Sequence, residues 1–480
     1  MNSKRMVACV IGLTGVMLGL AGSFDRWLLA EDSAAVARIA IDAHQRFQHI
    51  DGFGVNFNGP YFREAQTAMV DRLIDDLGAT IFRVDVYGDD LSNWELVNDN
   101  DDATFMNWEF YNNRYSMPNF EASWALGRYL NSKGARVLPS LIGVVLEWML
   151  DSNNPPRPGV TPGTQKPHHL NPGMYEEFAE MVASMALYAR TRAHVDFEYL
   201  SPFNEIDWVP SEGPSIEPEE APKVLGILAR RLNKEGLGDI RLVVVEQASL
   251  RSNYAGPILE DPELMKQVGI FSFHTYGEDP VRPQVERVAR SRYPHTRVWL
   301  TEYGASDRDR SFENEWKNQS LGASRRVLRA LNEGVQAALF WDAFDNFEAC
   351  EMRLSYFGLM RNDNHFYSPK KRYYAAKQLY HFVRPGSQRI GAQTNVPGLT
   401  VSAFRDVSSD AVVIVGVKEG GPGRIQIDLA KADSSLEVLD VYQTTRNLDC
   451  IRVATVPITK QEARIDLPDE VVFTLVGKQK

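Results

Sequence analysis

The chain has 480 residues, 44% of them hydrophobic and 24% charged, with a formal net charge of -11. That length exceeds one ordinary core, and the composition excludes a disordered or collagen-like chain. Acidic charge is spread along the sequence and no basic stripe interrupts it, which argues against nucleic acid as a partner.

Lys4 and Arg5 precede an apolar run from Met6 to Gly22 in which Thr14 is the sole polar interruption. A positive flank followed by an apolar core predicts a signal peptide, taken here as residues 1–30. Ala21-Gly-Ser23 and Leu28-Leu-Ala30 both offer a cleavage site. A secreted or periplasmic destination is expected, with membrane anchoring the alternative if the segment is retained. Of the three cysteines, Cys9 falls in this signal. Cys350 and Cys450 have no metal-ligand spacing and are open either to pairing or to burial as free thiols.

From Ile50 onward short apolar segments alternate with amphipathic ones, which predicts βα units. The predicted strands are Ile50–Asn58, Thr80–Tyr87, Arg136–Val145, Phe197–Glu205, Ile240–Glu246, Ile270–Tyr276, Arg297–Glu302 and Ala337–Trp341. Between them Met69/Val70, Leu73 and Leu77 recur at helical spacing, as do Phe178, Val182 and Met185, and Val224, Leu228 and Leu232. Gly78, Gly134, Gly236 and Gly334 follow such patterns where a left-handed cap is expected. Two long loops, Asp89–Ser123 and Asp151–Gly173, are expected to shape a cleft or lid.

Past Phe382 the helical spacing stops. Leu399–Phe404, Ala411–Val417, Arg424–Leu429, Leu436–Tyr442 and Val471–Val476 read as strands of a small antiparallel sandwich, which the alternating Val36–Ile41 segment can join. The predicted division is an N-terminal strand at 36–48, a catalytic barrel at 49–383 and a C-terminal β-sandwich at 384–480.

An open doubly wound sheet and a closed barrel both fit eight βα units. Arg83, Glu147, Glu205, His274, Tyr276, Glu302 and Trp341 follow or end at least six different strand segments, which favours a (β/α)8 TIM barrel gathering them at one mouth. Two glutamates stand out. Glu205 closes Phe197-Glu-Tyr-Leu-Ser-Pro-Phe-Asn-Glu and Glu302 closes Arg297-Val-Trp-Leu-Thr-Glu. One carboxylic acid to protonate a leaving oxygen and one carboxylate to attack the anomeric carbon are what retaining glycoside hydrolysis needs, at a separation of about 5–5.5 Å. Asn204, directly before Glu205, can bond the sugar 2-hydroxyl, so Glu205 is assigned acid/base and Glu302 nucleophile.

Asn204-Glu205 on the fourth strand and Thr301-Glu302 on the seventh resemble the clan A glycoside hydrolases. Within that clan Gln48-His-Ile-Asp-Gly-Phe-Gly54 and Lys371-Arg-Tyr-Tyr-Ala-Ala-Lys-Gln-Leu-Tyr-His-Phe-Val-Arg-Pro-Gly386 resemble family 30, with families 5 and 39 as further relatives. The resemblance implies a (β/α)8 barrel, a retaining mechanism and supporting roles for several residues. Arg83 matches the arginine that orients the nucleophile, Tyr276 the tyrosine that hydrogen-bonds it, and Trp341 the aromatic platform beneath the cleaved sugar. His274 either binds a hydroxyl or is a rim histidine with its bonds satisfied. Trp148 either lines the cleft or packs, and Trp208 is placed to contact the leaving-group sugar. One departure is Ile206-Asp207-Trp208, where family 30 commonly has proline after the acid/base.

His168-His169 reads as an exposed pair and Asn98–Asp102 as a solvated turn lacking the glycine and terminal glutamate of an EF-hand, so no metal or cofactor is expected. The expected partner is a carbohydrate, with no protein partner implied. A non-catalytic carbohydrate-binding protein and a transglycosidase are the rival readings. Sugar, linkage and exo or endo action stay open.

Overall fold

The computed structural model describes residues 36–86, 95, 97–142, 147–151, 169–208, 213–305, 309, 311–345, 356–363, 366–432 and 435–478. The signal segment, Trp94, His168 and Cys350 lie outside these residues, as do most of the loop predicted from Asp151 and the start of that predicted from Asp89.

Eight parallel strands run in the order third, second, first, eighth, seventh, sixth, fifth, fourth. In chain order they are Gly52–Phe57, Ile81–Val86, Arg136–Leu141, Tyr199–Leu200, Arg241–Gln247, Val268–Thr275, Arg297–Tyr303 and Ala337–Phe340. The Ser140–Ser201 bridge joins third to fourth and closes the barrel. Its interior is filled from alternate strand positions, with Trp299 facing small Ala337 and packing among Ile81, Leu138, Tyr199 and Ile270. A (β/α)8 TIM barrel is therefore the architecture.

Seven of the eight predicted strands end within a few residues of the observed ones, but the fourth is corrected. It holds just Tyr199–Leu200, because Pro202 has no N–H for a ladder and the chain turns before Glu205. The predicted loop from Asp89 also differs, since helices Trp108–Tyr115 and Pro118–Ser132 occupy much of it. Asn107 caps the first by accepting from the Phe110 N–H, and its aromatics pack, with Tyr111 and Tyr115 stacked at 5.6 Å.

A nine-stranded sheet makes up the second layer, and Arg38–His49 lies within it, antiparallel to Gln388–Thr394 and parallel to Arg424–Lys431. It is one continuous hydrogen-bonded sheet wrapped around a single core, and that one pair breaks the antiparallel pattern. Strand Val412–Glu419 explains how it meets the barrel. Its near-continuous valine run is buried on both faces, Val412 and Ile414 in the sheet's own core and Val413, Val415 and Val417 in the barrel's.

Helix Lys371–Tyr380 ties the two layers together through Gln378, which is fully buried. Its amide donates to Thr444 Oγ1 at 2.9 Å and its carbonyl oxygen accepts from Thr474 Oγ1 at 2.7 Å. Both threonines are themselves buried and would be left without this partner. Gln378→Ala should therefore lower the unfolding free energy by about 2–4 kcal/mol in urea titrations followed by tryptophan fluorescence. A change under about 0.5 kcal/mol would mean the two layers do not depend on this junction.

Candidate active site

Side chains from five barrel strands and the turn after the fourth converge at the C-terminal mouth around Arg83, a guanidinium with no exposed surface. Its Nη1 donates to Glu302 Oε1 at 2.6 Å and to Asn56 Oδ1 at 2.9 Å, its Nη2 donates to Asn204 Oδ1 at 2.8 Å, and its Nε lies 3.3 Å from Glu246 Oε1. Asn56 is oriented for this by donating to the Thr301 and Phe340 carbonyls at 2.9 and 3.2 Å. With Asn204 Oδ1 on Arg83, the NH2 is the group its amide has left to offer.

Glu302 ends up held at both oxygens, Oε1 by Arg83 and Oε2 by the Tyr276 hydroxyl at 2.8 Å. His274 Nδ1 sits 2.9 Å from Glu205 Oε1 and 3.4 Å from Glu302 Oε2, between the two carboxyls. One oxygen from each glutamate and the imidazole nitrogen all lie within 4.8 Å of one another. Glu205 is the more open of the pair, with its side chain 13% exposed against 6% for Glu302.

Glu205 reaches this position from a turn, with a φ of 43° that a non-glycine residue rarely adopts. Its N–H donates to the Glu246 carbonyl at 2.8 Å and its own carbonyl accepts from the Trp208 N–H at 2.9 Å. The Asn204 carbonyl packs on Gly213, where an added Cβ would lie 1.9 Å from the Asn204 oxygen, so no side chain fits there.

Glu246 was not singled out from the sequence, although it ends the apolar run Leu242–Val245 by the same pattern that marked the other two glutamates. It is fully buried and accepts from Ser201 Oγ at 2.8 Å, from the Thr301 hydroxyl and from His274 Nε2 at 3.2 Å. Burial pushes its carboxyl up, but Arg83, then His274 and Thr301, outweigh this and leave it down at about 2. Burial pulls His274 down, and the charges of Glu302, Glu205 and Glu246 more than reverse it, to about 10. His274 is thus an imidazolium donating from both nitrogens, a third role beyond the hydroxyl binder and the rim residue. Burial raises Glu302, and Glu205 adds to the rise against the pull of His274, Arg83 and Tyr276. Two cations, Arg83 and His274, then face the three carboxyl groups of Glu205, Glu246 and Glu302.

The three tryptophans lie outside this network. Trp208, beside the Glu205 turn, is 53% exposed. Trp341 is half-buried just past the eighth strand, its N–H on the Tyr303 carbonyl at 3.0 Å. Trp148 is half-buried and donates from Nε1 to the Glu95 carbonyl at 3.2 Å. His169, expected to be exposed, is buried between Asp151 and Glu220 at 3.3 and 2.9 Å, because both of its nitrogens find carboxylates.

No protein-family model matches the chain. Glucuronoxylanase XynC of Bacillus subtilis is 29% identical to it over 260 residues, which are 52% of this chain and 56% of that protein. The match therefore spans a little over half the length of that relative. The family 30 endoxylanase of Clostridium papyrosolvens C71 superposes with a TM-score of 0.71 at 20% identity, covering 92% of this chain and 100% of its own. The catalytic domain of a family 30 xylanase C from Talaromyces cellulolyticus gives 0.69 at 15%, covering 92% and 100%. The resemblance to glycoside hydrolase family 30, of clan A, is borne out. The fold is the one those structures share, a (β/α)8 barrel with an appended β-domain.

Against the family 30 pattern, the departure after Glu205 now has a physical account. Where a proline would stiffen the turn, Asp207 accepts from the Ala248 and Ser249 N–H groups at 2.8 and 3.0 Å and from Ser252 Oγ at 3.1 Å. The turn is thereby tied to the loop after the fifth strand.

The charges also set a pH dependence. His274 is raised from 6.5 to about 10, so its contribution to stability is complete below 6.5 and is lost as pH rises through about 10. Glu246 is lowered from 4.5 to about 2, so its contribution is present above 4.5 and lost as pH falls through about 2. His274→Gln should therefore flatten the decline of unfolding free energy between pH 6.5 and 10, measured by urea denaturation at each pH. Parallel curves for variant and parent would mean that His274 is neutral.

Proposed function

We propose that the chain hydrolyses O-glycosidic bonds, β-linked in the substrate, with net retention of configuration. The observation that carries this reading is that an oxygen of Glu205 and an oxygen of Glu302 lie within 4.8 Å of each other, with His274 between them. Retaining enzymes hold their carboxyls about 5–5.5 Å apart, whereas inverting ones need roughly 6.5–9.5 Å to admit a water.

In the first step the Glu302 carboxylate attacks the anomeric carbon while the bond to the leaving oxygen breaks. Glu205 gives that oxygen its proton. In the second step Glu205 takes a proton from water, the water oxygen bonds to the anomeric carbon, and the ester to Glu302 is released. Arg83 and Tyr276 favour the anionic form of Glu302, which leaves Glu205 as the carboxyl to protonate the leaving oxygen. The Asn204 NH2 is suited to the sugar 2-hydroxyl, a bond that strengthens as the ring gains positive charge. Trp341 is our candidate for the platform under the cleaved sugar, and Trp148 and Trp208 for neighbouring sugar contacts. We infer an extracytoplasmic site of action from Lys4, Arg5 and the apolar run to Gly22. Because the relatives named above are xylanases, a xylan with and without glucuronosyl branches is the first polysaccharide to test.

Glu302→Ala should reduce turnover of an aryl glycoside by roughly 10⁴-fold or more, and azide should restore part of it as a glycosyl azide of inverted configuration. Turnover close to the parent's would remove the assignment. Glu205→Ala should spare dinitrophenyl glycosides, whose leaving group needs little protonation, and penalise poor leaving groups steeply. Equal losses across the leaving-group series would count against the acid/base role. Gly213→Ala, which pushes on the Asn204 carbonyl, should lower kcat about 10²-fold with the fold intact by circular dichroism. An unchanged kcat would show that Gly213 does not position Asn204 for catalysis.

A further inference from the structure

A second group of carboxylates, separate from the Arg83 network, lies between the segment that precedes helix Trp108–Tyr115 and helix Tyr175–Thr191. Glu177 and Glu180 stand three residues apart on the helix, where like charges face each other and repel. Asp99 comes up against them from the segment, and one oxygen from each of the three lies within 4.8 Å of the others. Glu95 borders the group and is itself fully buried.

The hydrogen bonds around these residues leave several of their buried oxygens unused. Asp99 Oδ2 accepts from Asn100 Nδ2 at 2.9 Å and from the Asn107 N–H at 2.8 Å, while Oδ1 is buried with no hydrogen-bond partner among the described residues. Glu95 Oε1 accepts from the Asp99 N–H at 3.2 Å, and its Oε2 has none. Glu177 Oε2 is in the same position. Glu180 is the most telling, with a side chain 1% exposed and neither oxygen accepting a hydrogen bond among the described residues. Arg231 Nη2 approaches Glu180 Oε1 no closer than 3.8 Å, and the guanidinium's hydrogen bonds go to Glu235 and the Ala103 carbonyl. Among the described residues, Arg231 is thus the cation that faces these carboxyl groups.

We propose that Asp99, Glu177 and Glu180, with Glu95 beside them, form a calcium site that ties the 95–107 segment to helix Tyr175–Thr191. The donors are all carboxylate oxygens, without nitrogen or sulfur, which selects a hard cation. One oxygen from each of the three lies close enough to the others for a single ion to reach all of them, and calcium accepts such flexible carboxylate sets. Magnesium keeps shorter bonds and sheds its water reluctantly, so a site built from several protein carboxylates suits it less. The Glu95 carbonyl accepts from Trp148 Nε1, so the ion also steadies the anchor of that tryptophan. This site is independent of the hydrolase reading and is tested without turnover.

The full chain, stripped with EGTA and desalted, is titrated with calcium chloride by calorimetry, and its thermal unfolding is followed with calcium, magnesium or EGTA. We expect one calcium per chain, at least tenfold tighter than magnesium, and a rise in Tm of at least about 3 °C at saturation. Glu180→Gln and Asp99→Asn should each abolish the calcium response. In EGTA, Glu180→Gln should unfold at or above the parent's temperature, because a like charge has gone, whereas loss of a purely structural contact would lower it. No binding heat together with an unmoved Tm in the parent, or a full calcium response in Glu180→Gln, would overturn the proposal.

Discussion

The buried guanidinium of Arg83 is the constraint on which the mouth of this barrel depends. Removing such a cation from water costs several kcal/mol, and the loss is recovered when its donors meet well-placed acceptors. Arg83 meets Glu302 and Asn56 at one terminal nitrogen, Asn204 at the other and Glu246 beside Nε. Glu302 and the residue next to Glu205 are therefore aligned by one planar fork. The spacing between the two carboxyls inherits the rigidity of that fork, which a lysine could not supply. The same cation, with His274, offsets the negative charge of three carboxyl groups crowded into one buried pocket.

How much of this was legible from the amino-acid order depended on whether a signal is local. Apolar runs separated by helical spacing placed all eight barrel strands, and the valine-rich and alternating segments placed most of the second layer. The fourth strand was overextended because Phe197–Phe203 is apolar enough to read as buried, while the break comes from Pro202 and from a turn held by distant partners. Strands Ile451–Pro457 and Glu462–Asp466 escaped because they sit at the sheet's edges. The first is exposed along most of its length, and the second buries Ala463 and Ile465 alone. That the nine strands wrap as one sheet is a matter of register and twist, which composition does not encode.

In the site the division is similar. Glu302, Arg83 and Tyr276 were readable because each stands at or near a strand end in a resembling motif. What the sequence could not display was the charge state of His274, since its three carboxylate neighbours come from the turn after the fourth strand and from the fifth and seventh strands. Asp207 was hidden for the same reason. Its three donors lie about forty residues onward in the chain, so nothing near it marks it as a substitute for a stiffening proline.

Glu246 carries the argument one step further, because it acts on Glu205 twice. Its carbonyl accepts the Glu205 N–H and its carboxylate holds the imidazolium that bonds the Glu205 side chain. Both residues adopt left-handed backbone conformations, with φ of 43° for Glu205 and 57° for Glu246. Each such conformation costs roughly 1–3 kcal/mol and persists where surrounding contacts over-determine it. Ser201, Thr301, Arg83 and His274 provide those contacts around Glu246. The end of the fifth strand is thus a template on which the Glu205 turn is shaped. That explains how a fourth strand of two residues can still present its glutamate at a defined place.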